Sequence, residues 1–238
     1  MNIYDDVRRA EAYAALEFPG TYYLAFRDLP AIIASGVSGR CGLDFGCGAG
    51  RSTRFLKRLG FDVTGIDVSP SMIEQARQAD PGGSYRLVAD GVFNSLLPRS
   101  FDLILAAFPF DNIPGESRRV GLLQGLRELL RPSGRIILLG STPEIYTHEW
   151  LSFSTRQFPQ NRRARSGDAV QILMKDVADQ RPVVDFIWSH EDYLRLFSAA
   201  RVELLDCERP LGRSGEPHPW QTELTIAPWV IYVLRAAG

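Results

Sequence analysis

The stretch Leu43-Asp44-Phe45-Gly46-Cys47-Gly48-Ala49-Gly50 constrains this chain more than any other. An apolar run, CGLDFGC from residue 41, leads into it, and RSTRFLKRLG, read as a helix closed by Gly60, leads out. The glycines permit a tight turn and let backbone approach a ligand closely, and the following helix turns the positive end of its dipole back toward the bend. A strand handing over to a helix through such a bend suits a doubly wound sheet. There, ligands bind beyond the carboxyl ends of the strands, where the strand order reverses.

The rest of the chain keeps the same rhythm. DVTGIDV, SYRLVAD, FDLILAAF and RIILLGS read as four more strands, separated by SPSMIEQARQAD and ESRRVGLLQGLRELL as helices. Ser69 is the expected N-cap of the first of these helices, with Pro70 in its first turn, and Arg131-Pro132-Ser133-Gly134 is the expected stop of the second. Near the C-terminus EDYLRLFSAA, capped by Ser189 with Asp192, is followed by RVELLDCERPL and IAPWVIYVLRA as the last strands. Residues 1–36 read as helices, with Tyr22, Phe26, Leu29 and Ile33 on one face and Pro30 opposing a single unbroken helix. Between residues 142 and 185 the rhythm fails. AVQILMKD (169–176) and PVVDFIWS (182–189) read there as an antiparallel ribbon, either a lid over the strand ends or a peripheral hairpin. The expected fold is therefore α/β, a Rossmann-like, seven-stranded, mostly parallel sheet with helices on both faces, an N-terminal helical cap and an inserted β-ribbon.

Composition narrows the partners. With 27 Lys and Arg against 28 Asp and Glu in 238 residues, the formal charge is −1, which excludes a generally basic surface for gripping phosphate backbones. Residues 151–181 hold six Lys or Arg against three Asp, including Arg162, Arg163 and Arg165; this segment is the sole support for an RNA or protein acceptor and otherwise reads as a solvated loop. Cys41, Cys47 and Cys207 form no CxxC pair, so neither a disulfide framework nor a zinc cluster is expected. The first residues carry acids and no apolar core of a signal peptide, and the longest apolar run, residues 103–110, is too short to span a bilayer. A cytoplasmic protein without a membrane role is the expectation.

Two further acids fall on successive strand ends. Asp67, in Thr64-Gly65-Ile66-Asp67-Val68, follows Gly46 at the interval at which an acid accepts from ribose hydroxyls. Asp90-Gly91 follows the third strand, where a carboxylate and a close backbone can read the edge of an adenine ring. The nicotinamide fingerprint GxGxxG is broken, because its sixth position is Arg51, whose bulk opposes close packing around a pyrophosphate.

Here the chain resembles the class I S-adenosylmethionine-dependent methyltransferases, small-molecule type. LDFGCGAGRST and GIDVSPSMIEQAR match their first two motifs, and VADG, FDLILAAF and LRELLRPSGRIILLG follow in the family order. The resemblance implies one methyltransferase domain over 1–238: a helical cap (1–39), a cofactor-binding core (40–141), an insert or lid (142–188) and the C-terminal part of the sheet (189–238). It implies S-adenosylmethionine as cofactor, with S-adenosylhomocysteine as product, no metal, and a small-molecule methyl acceptor. Asp44, Gly46, Cys47 and Gly48 would hold the amino-acid moiety, Asp67 the ribose, Val68 and Met72 the adenine faces, Asp90 and Gly91 its edge, and Phe108 would sit beside the sulfonium. Tyrosines of the N-terminal cap (Tyr4, Tyr13, Tyr22, Tyr23) are further candidates. A non-catalytic cofactor-binding module remains an alternative reading.

For the acceptor, Phe108-Pro109-Phe110-Asp111-Asn112 lacks the N/D-P-P-Y/F tetrad of methyltransferases acting on adenine or glutamine amino groups, so those acceptors are disfavoured. Asp111 is a candidate base or anchor. His148, following the fifth strand, is a second candidate base, because histidine titrates near neutrality. Tyr22, Tyr23, Phe110, Tyr146 and Trp150 are the candidate acceptor-binding side chains.

Overall fold

A computed structural model of the chain describes residues 6–14 and 16–237. Seven strands form one sheet: β1 (Cys41–Phe45), β2 (Asp62–Asp67), β3 (Ser84–Leu87), β4 (Phe101–Ala107), β5 (Leu130–Ser141), β9 (Val202–Glu208) and β10 (Trp229–Ala236), in the order β3-β2-β1-β4-β5-β10-β9. The first five run parallel, and β10 is antiparallel to both of its neighbours. From β1 the chain winds outward through β2 to β3, then returns to begin β4 on the other side. The reversal leaves a crevice over the ends of β1 and β4.

Side-chain alternation explains why both faces are covered. Along β4, Leu103 and Leu105 enter the core beneath helices α2 (Thr21–Arg27), α3 (Leu29–Gly36) and α4 (Arg51–Arg58). Ile104 and Ala106 face the opposite core, under α6 (Glu116–Leu129) and α7 (His190–Ala200). A strand buried on both faces reads as a continuous apolar run, as FDLILAAF does. The caps follow local chemistry. Ser69 Oγ accepts the Met72 N–H at the start of α5 (Pro70–Ala79). Ser189 Oγ accepts the Asp192 N–H at the start of α7 and donates its own proton to the Asp192 carboxylate.

Several element boundaries differ from the sequence expectation. The expected stop at 131–134 lies inside β5, because Leu130 already pairs with Phe101 before the register shifts to Leu103–Arg135. SYRLVAD enters the sheet only through SYRL, so Asp90-Gly91 sits in the turn beyond an edge strand. The cap is divided at Asp28, with Pro30 in the first turn of α3, where its missing N–H costs nothing.

The interrupted region forms a second, three-stranded antiparallel sheet: β6 (Phe153–Ser154), β7 (Ala169–Met174) and β8 (Val183–Phe186). The ribbon is thus present, with β6 as an unanticipated third strand. Helix α1 (Val7–Ala14) is tied to its tip: Arg9 Nε donates to Asp179 at 3.0 Å, and Arg181 pairs with Asp6 at 2.7 Å and with Asp179 at 2.8 Å. Among the described residues no helix is long and apolar enough to cross a membrane.

Candidate functional site

The bend after β1 is built by backbone. The N–H groups of Gly46 and Cys47 both donate to the Ile66 carbonyl, at 2.9 and 3.0 Å, and the Gly48 N–H donates to Asp67 Oδ2 at 2.9 Å. Gly46 has φ +68°, and a Cβ there would lie 2.5 Å from Pro109 Cβ, so glycine alone fits between the bend and the end of β4. At Gly48, φ +51°, a Cβ would meet only Met72 Sδ, at 3.9 Å, and the space above that backbone is open.

Asp67 ends β2 with its carboxylate held on both oxygens, Oδ2 by Gly48 and Oδ1 by the Ser69 N–H at 2.8 Å. Asp44 lies beneath the bend, fully buried. Its Oδ2 accepts from Ser52 and Thr53 at 2.7 and 2.6 Å, and its Oδ1 has no partner among the described residues. Burial pushes the Asp44 carboxyl up to about 6, and the two hydroxyl bonds moderate that rise. Burial also raises the Cys47 thiol well above its usual value, so it stays protonated.

Over these strand ends opens a cavity of about 820 Å³, within the range of cofactor sites. Gly46, Cys47, Gly48, Asp67, Val68, Met72, Asp90, Gly91 and Phe108 all line it. Asp90 also pairs with Arg118 at 2.7 Å, both half-exposed at the rim. Sequence reasoning missed Arg51 as a lining group. It is the first residue of α4, its guanidinium lies 4.5 Å from the centre of the Tyr22 ring, and it donates to the Glu17 carbonyl. Its position directly after the glycine bend was the available signal.

A second, smaller cavity of about 60 Å³ adjoins the first, and Tyr22, Phe108 and Asn112 line both. Phe108 stands at the junction with φ +69° and ψ 0°, a left-handed conformation that only a constrained non-glycine residue keeps. Its ring lies 4.7 Å from Trp229 and 5.7 Å from Tyr22, and Tyr22 stacks on Trp229 at 5.5 Å. Tyr22 is steered there by its neighbour. Thr21 Oγ1 donates to the buried Glu223 at 2.6 Å and accepts from the Ser152 N–H, docking α2 onto the loops that follow β5 and precede β10.

Two carboxylates line the smaller cavity. Asp111 accepts from Ser141 Oγ at 2.7 Å and from the Ser141 N–H at 3.1 Å. Asp185, from β8, accepts from Asn112 Nδ2 at 2.6 Å and from the Tyr146 hydroxyl at 3.1 Å. Burial raises both carboxyls above the ordinary range, and the charge of Asp111 raises Asp185 further. The ribbon roofs both spaces: on β8, Val183 and Asp185 face the smaller cavity, while Val184 and Phe186 face the larger.

Of the acceptor-side candidates, Asp111, Tyr22 and Tyr146 therefore meet at one place, and the others do not. His148 lines neither cavity. Its Nδ1 pairs with the Glu144 carbonyl at 3.1 Å and with Thr147 Oγ1 at 3.0 Å. Trp150 is fully buried with its indole N–H on the Ile145 carbonyl. Phe110 is buried beneath the site against Phe45, and Tyr23 packs on His218 and Trp220 instead. Tyr4 and the side chain of Tyr13 lie outside the described residues. Asp185 was missed, although an acid inside the apolar run PVVDFIW is itself a signal, since such a run buries it only with partners.

Comparison with known proteins bears on the fold and on the segment from β1 to β5. A family model described as "Methyltransferase domain" matches residues 43–138. The demethylmenaquinone methyltransferase of Tropheryma whipplei is 37% identical over 99 residues, covering 40% of this chain and 39% of that protein. A ubiquinone biosynthesis O-methyltransferase of Alkalilimnicola ehrlichii is 28% identical over 172 residues, 62% of this chain and 68% of that one. The chain thus spans about two fifths of the length of the first curated relatives it matches. Among solved structures, the CcbJ methyltransferase of Streptomyces caelestis superposes with a TM-score of 0.69 at 18% identity, covering 98% of each chain. The PH0226 protein of Pyrococcus horikoshii gives 0.65 at 16% identity, covering 95% and 98%. Both share the fold.

Proposed function

We propose that this chain, a class I methyltransferase by its sheet and by the family model over residues 43–138, carries the methyl group of S-adenosylmethionine to a small-molecule acceptor. The observation that carries the reading is the Asp67 carboxylate, pinned by the Gly48 and Ser69 N–H groups on the wall of the larger cavity. Those bonds fix the orientation of a carboxylate, an acceptor of the kind that ribose hydroxyls require.

The donor set suits the cofactor. Asp44 lines neither cavity, but its Oδ1, without a partner among the described residues, would reach the ammonium end of a methionine moiety through water beneath the bend. Arg51, at the same end of the cavity, has the charge to meet its carboxylate. Val68 and Met72 would flank the adenine, and Asp90 and Gly91 would read its edge. Phe108 would lie beside the sulfonium, at the junction with the smaller cavity.

When bound, the cofactor supplies a methyl carbon on a cationic sulfur. The chain's own residues align the acceptor and keep water out. Positioning of that kind lowers a barrier by up to roughly 7–11 kcal/mol. The rings of Tyr22, Phe108, Phe153 and Trp229 line the smaller cavity and, with β8 above it, would exclude water from the acceptor. Asp111 and Asp185 are the groups able to take a proton from an acceptor. A small molecule is favoured as acceptor because the space beyond Phe108 is roofed and small, and because the named relatives act in menaquinone and ubiquinone synthesis.

Calorimetric titration with S-adenosylhomocysteine tests the reading. Wild-type protein should bind near the micromolar range, and Asp67→Ala should bind at least tenfold more weakly while keeping its circular dichroism spectrum. Unchanged affinity in the variant removes the ribose assignment, and no binding by the wild type removes the cofactor.

A further inference from the structure

We propose that the acceptor is a small aliphatic amine, entering as its ammonium ion and seated between the carboxylates of Asp111 and Asp185 and the rings of Tyr22, Phe108 and Trp229. This inference rests on the reading of the larger cavity as the methyl-donor site.

The argument begins with what faces the smaller cavity. Among the described residues two carboxylates line it, and no Lys, Arg or His does. The hydrogen bonds they receive come from neutral donors alone: Ser141 to Asp111, and Asn112 and Tyr146 to Asp185. Asn112 is the residue after Asp111, so its bond to Asp185 holds the two acids in one small space. Buried acids in apolar surroundings either take up a proton or gain a counter-charge, and a cation seated between these two would hold them ionised.

The nearest cations do not supply one by contact. Arg119 is fully buried and eases both carboxyls through space, but its bonds go to the Ile113 carbonyl and the Tyr193 hydroxyl, with its guanidinium 4.4 Å from the Trp188 ring. Arg51 lies on the larger cavity and donates to Glu17. Among the described residues neither carboxylate touches a cation, and an ammonium ion in the cavity would be the first to do so.

The opposite wall is aromatic. Tyr22, Phe108, Phe153 and Trp229 contact one another with ring centres 4.7–5.7 Å apart. Faces of aromatic rings attract cations, and a cage of them with carboxylates is the chemistry that recognises ammonium groups. A phenolate or carboxylate acceptor would meet like charge here. Because Phe108 lines both cavities, a nitrogen held in the smaller one faces the donor end of the larger.

The step balances within this set. The ammonium gives one proton to the carboxylate pair, and the freed nitrogen lone pair forms the new N–CH₃ bond. The S–CH₃ bond breaks with its electron pair staying on sulfur. The product leaves as an N-methylammonium ion, still a cation, and the pair returns its proton to water.

The test uses protein saturated with S-adenosylhomocysteine at pH 8, with saturation-transfer NMR on dimethylammonium chloride, isopropanol and catechol at equal concentration. Dimethylammonium should give a signal at least fivefold stronger than either neutral probe. Asp185→Asn should abolish that preference with S-adenosylhomocysteine affinity within threefold of wild type. Phe153→Leu, which keeps both carboxylates, should weaken the cation signal about threefold. If S-adenosylhomocysteine binds but dimethylammonium shows no preference, or if the preference survives in Asp185→Asn, the amine assignment is overturned and the methyltransferase reading stands. Failure of S-adenosylhomocysteine to bind overturns both.

Discussion

Asp67, the last residue of β2, accepts the backbone N–H of Gly48 from the bend that follows β1, at 2.9 Å. One carboxylate thus staples two neighbouring strand ends and shapes the bend on which the cofactor reading depends. The bend tolerates little. Gly46→Ala places a methyl group 2.5 Å from Pro109 Cβ at φ +68°, combining left-handed strain with overpacking. The expected loss is about 3 kcal/mol, a fall in Tm on the order of 6–12 °C. Thermal denaturation checks it; a shift under 2 °C would show that Pro109 gives way.

The role proposed for Asp44, reaching the ligand's ammonium group through water, carries a pH limit on cofactor affinity. An ammonium group needs the ionised carboxylate, and burial holds this carboxyl near 6 rather than 3.8. S-adenosylhomocysteine affinity should therefore fall as pH drops through about 6, whereas Asp44→Asn should bind weakly with no such inflection. Titrations from pH 5 to 8 compare the two. Parallel profiles would detach Asp44 from the ligand.

Asp185 carries a stability signature of opposite usefulness. Its carboxyl is raised above the ordinary 3.8 by burial and by Asp111. Its favourable contribution is therefore complete below the unfolded value and is lost as pH rises through the folded one. Asp185→Asn lacks this loss. The Tm advantage of the variant over wild type should grow from pH 4 to pH 8, reaching about 2–4 °C for each kcal/mol recovered. An advantage that shrinks with pH would contradict the burial argument.

The tip of the ribbon holds the N-terminal helix. Asp179 receives both Arg9 and Arg181, and α1 rests by Ala10 against Ala49 of the glycine bend and Met72. Asp179→Ala should speed limited proteolysis between α1 and α2 several-fold and weaken S-adenosylhomocysteine binding modestly. Equal cleavage rates in the two proteins would show that the clamp does not hold α1.

What could be read without coordinates was whatever local chemistry specifies. Gly46 and Gly48, the Ser69 and Ser189 caps and the buried run of β4 each announce themselves within a few residues, and each is found where the pattern puts it. The acceptor side was only half legible, because it is assembled from elements distant in sequence. Asp111 follows β4, Tyr146 follows β5, and Asp185 arrives on β8. His148 looked apt by position, but its ring turns to the Glu144 carbonyl four residues back. Nothing in its neighbours' identities distinguishes those two directions. Arg51 served only to argue against a pyrophosphate, although its first-turn position already aimed it at the bend.

The pleat of β8 carries a final consequence. Since Asp185 turns to one chamber and its neighbours Val184 and Phe186 to the other, inserting one residue ahead of this strand would exchange those faces in a single stroke. On the proposed reading, the donor and acceptor chambers are walled by opposite sides of the same four residues, and a shift that rewrites one rewrites both.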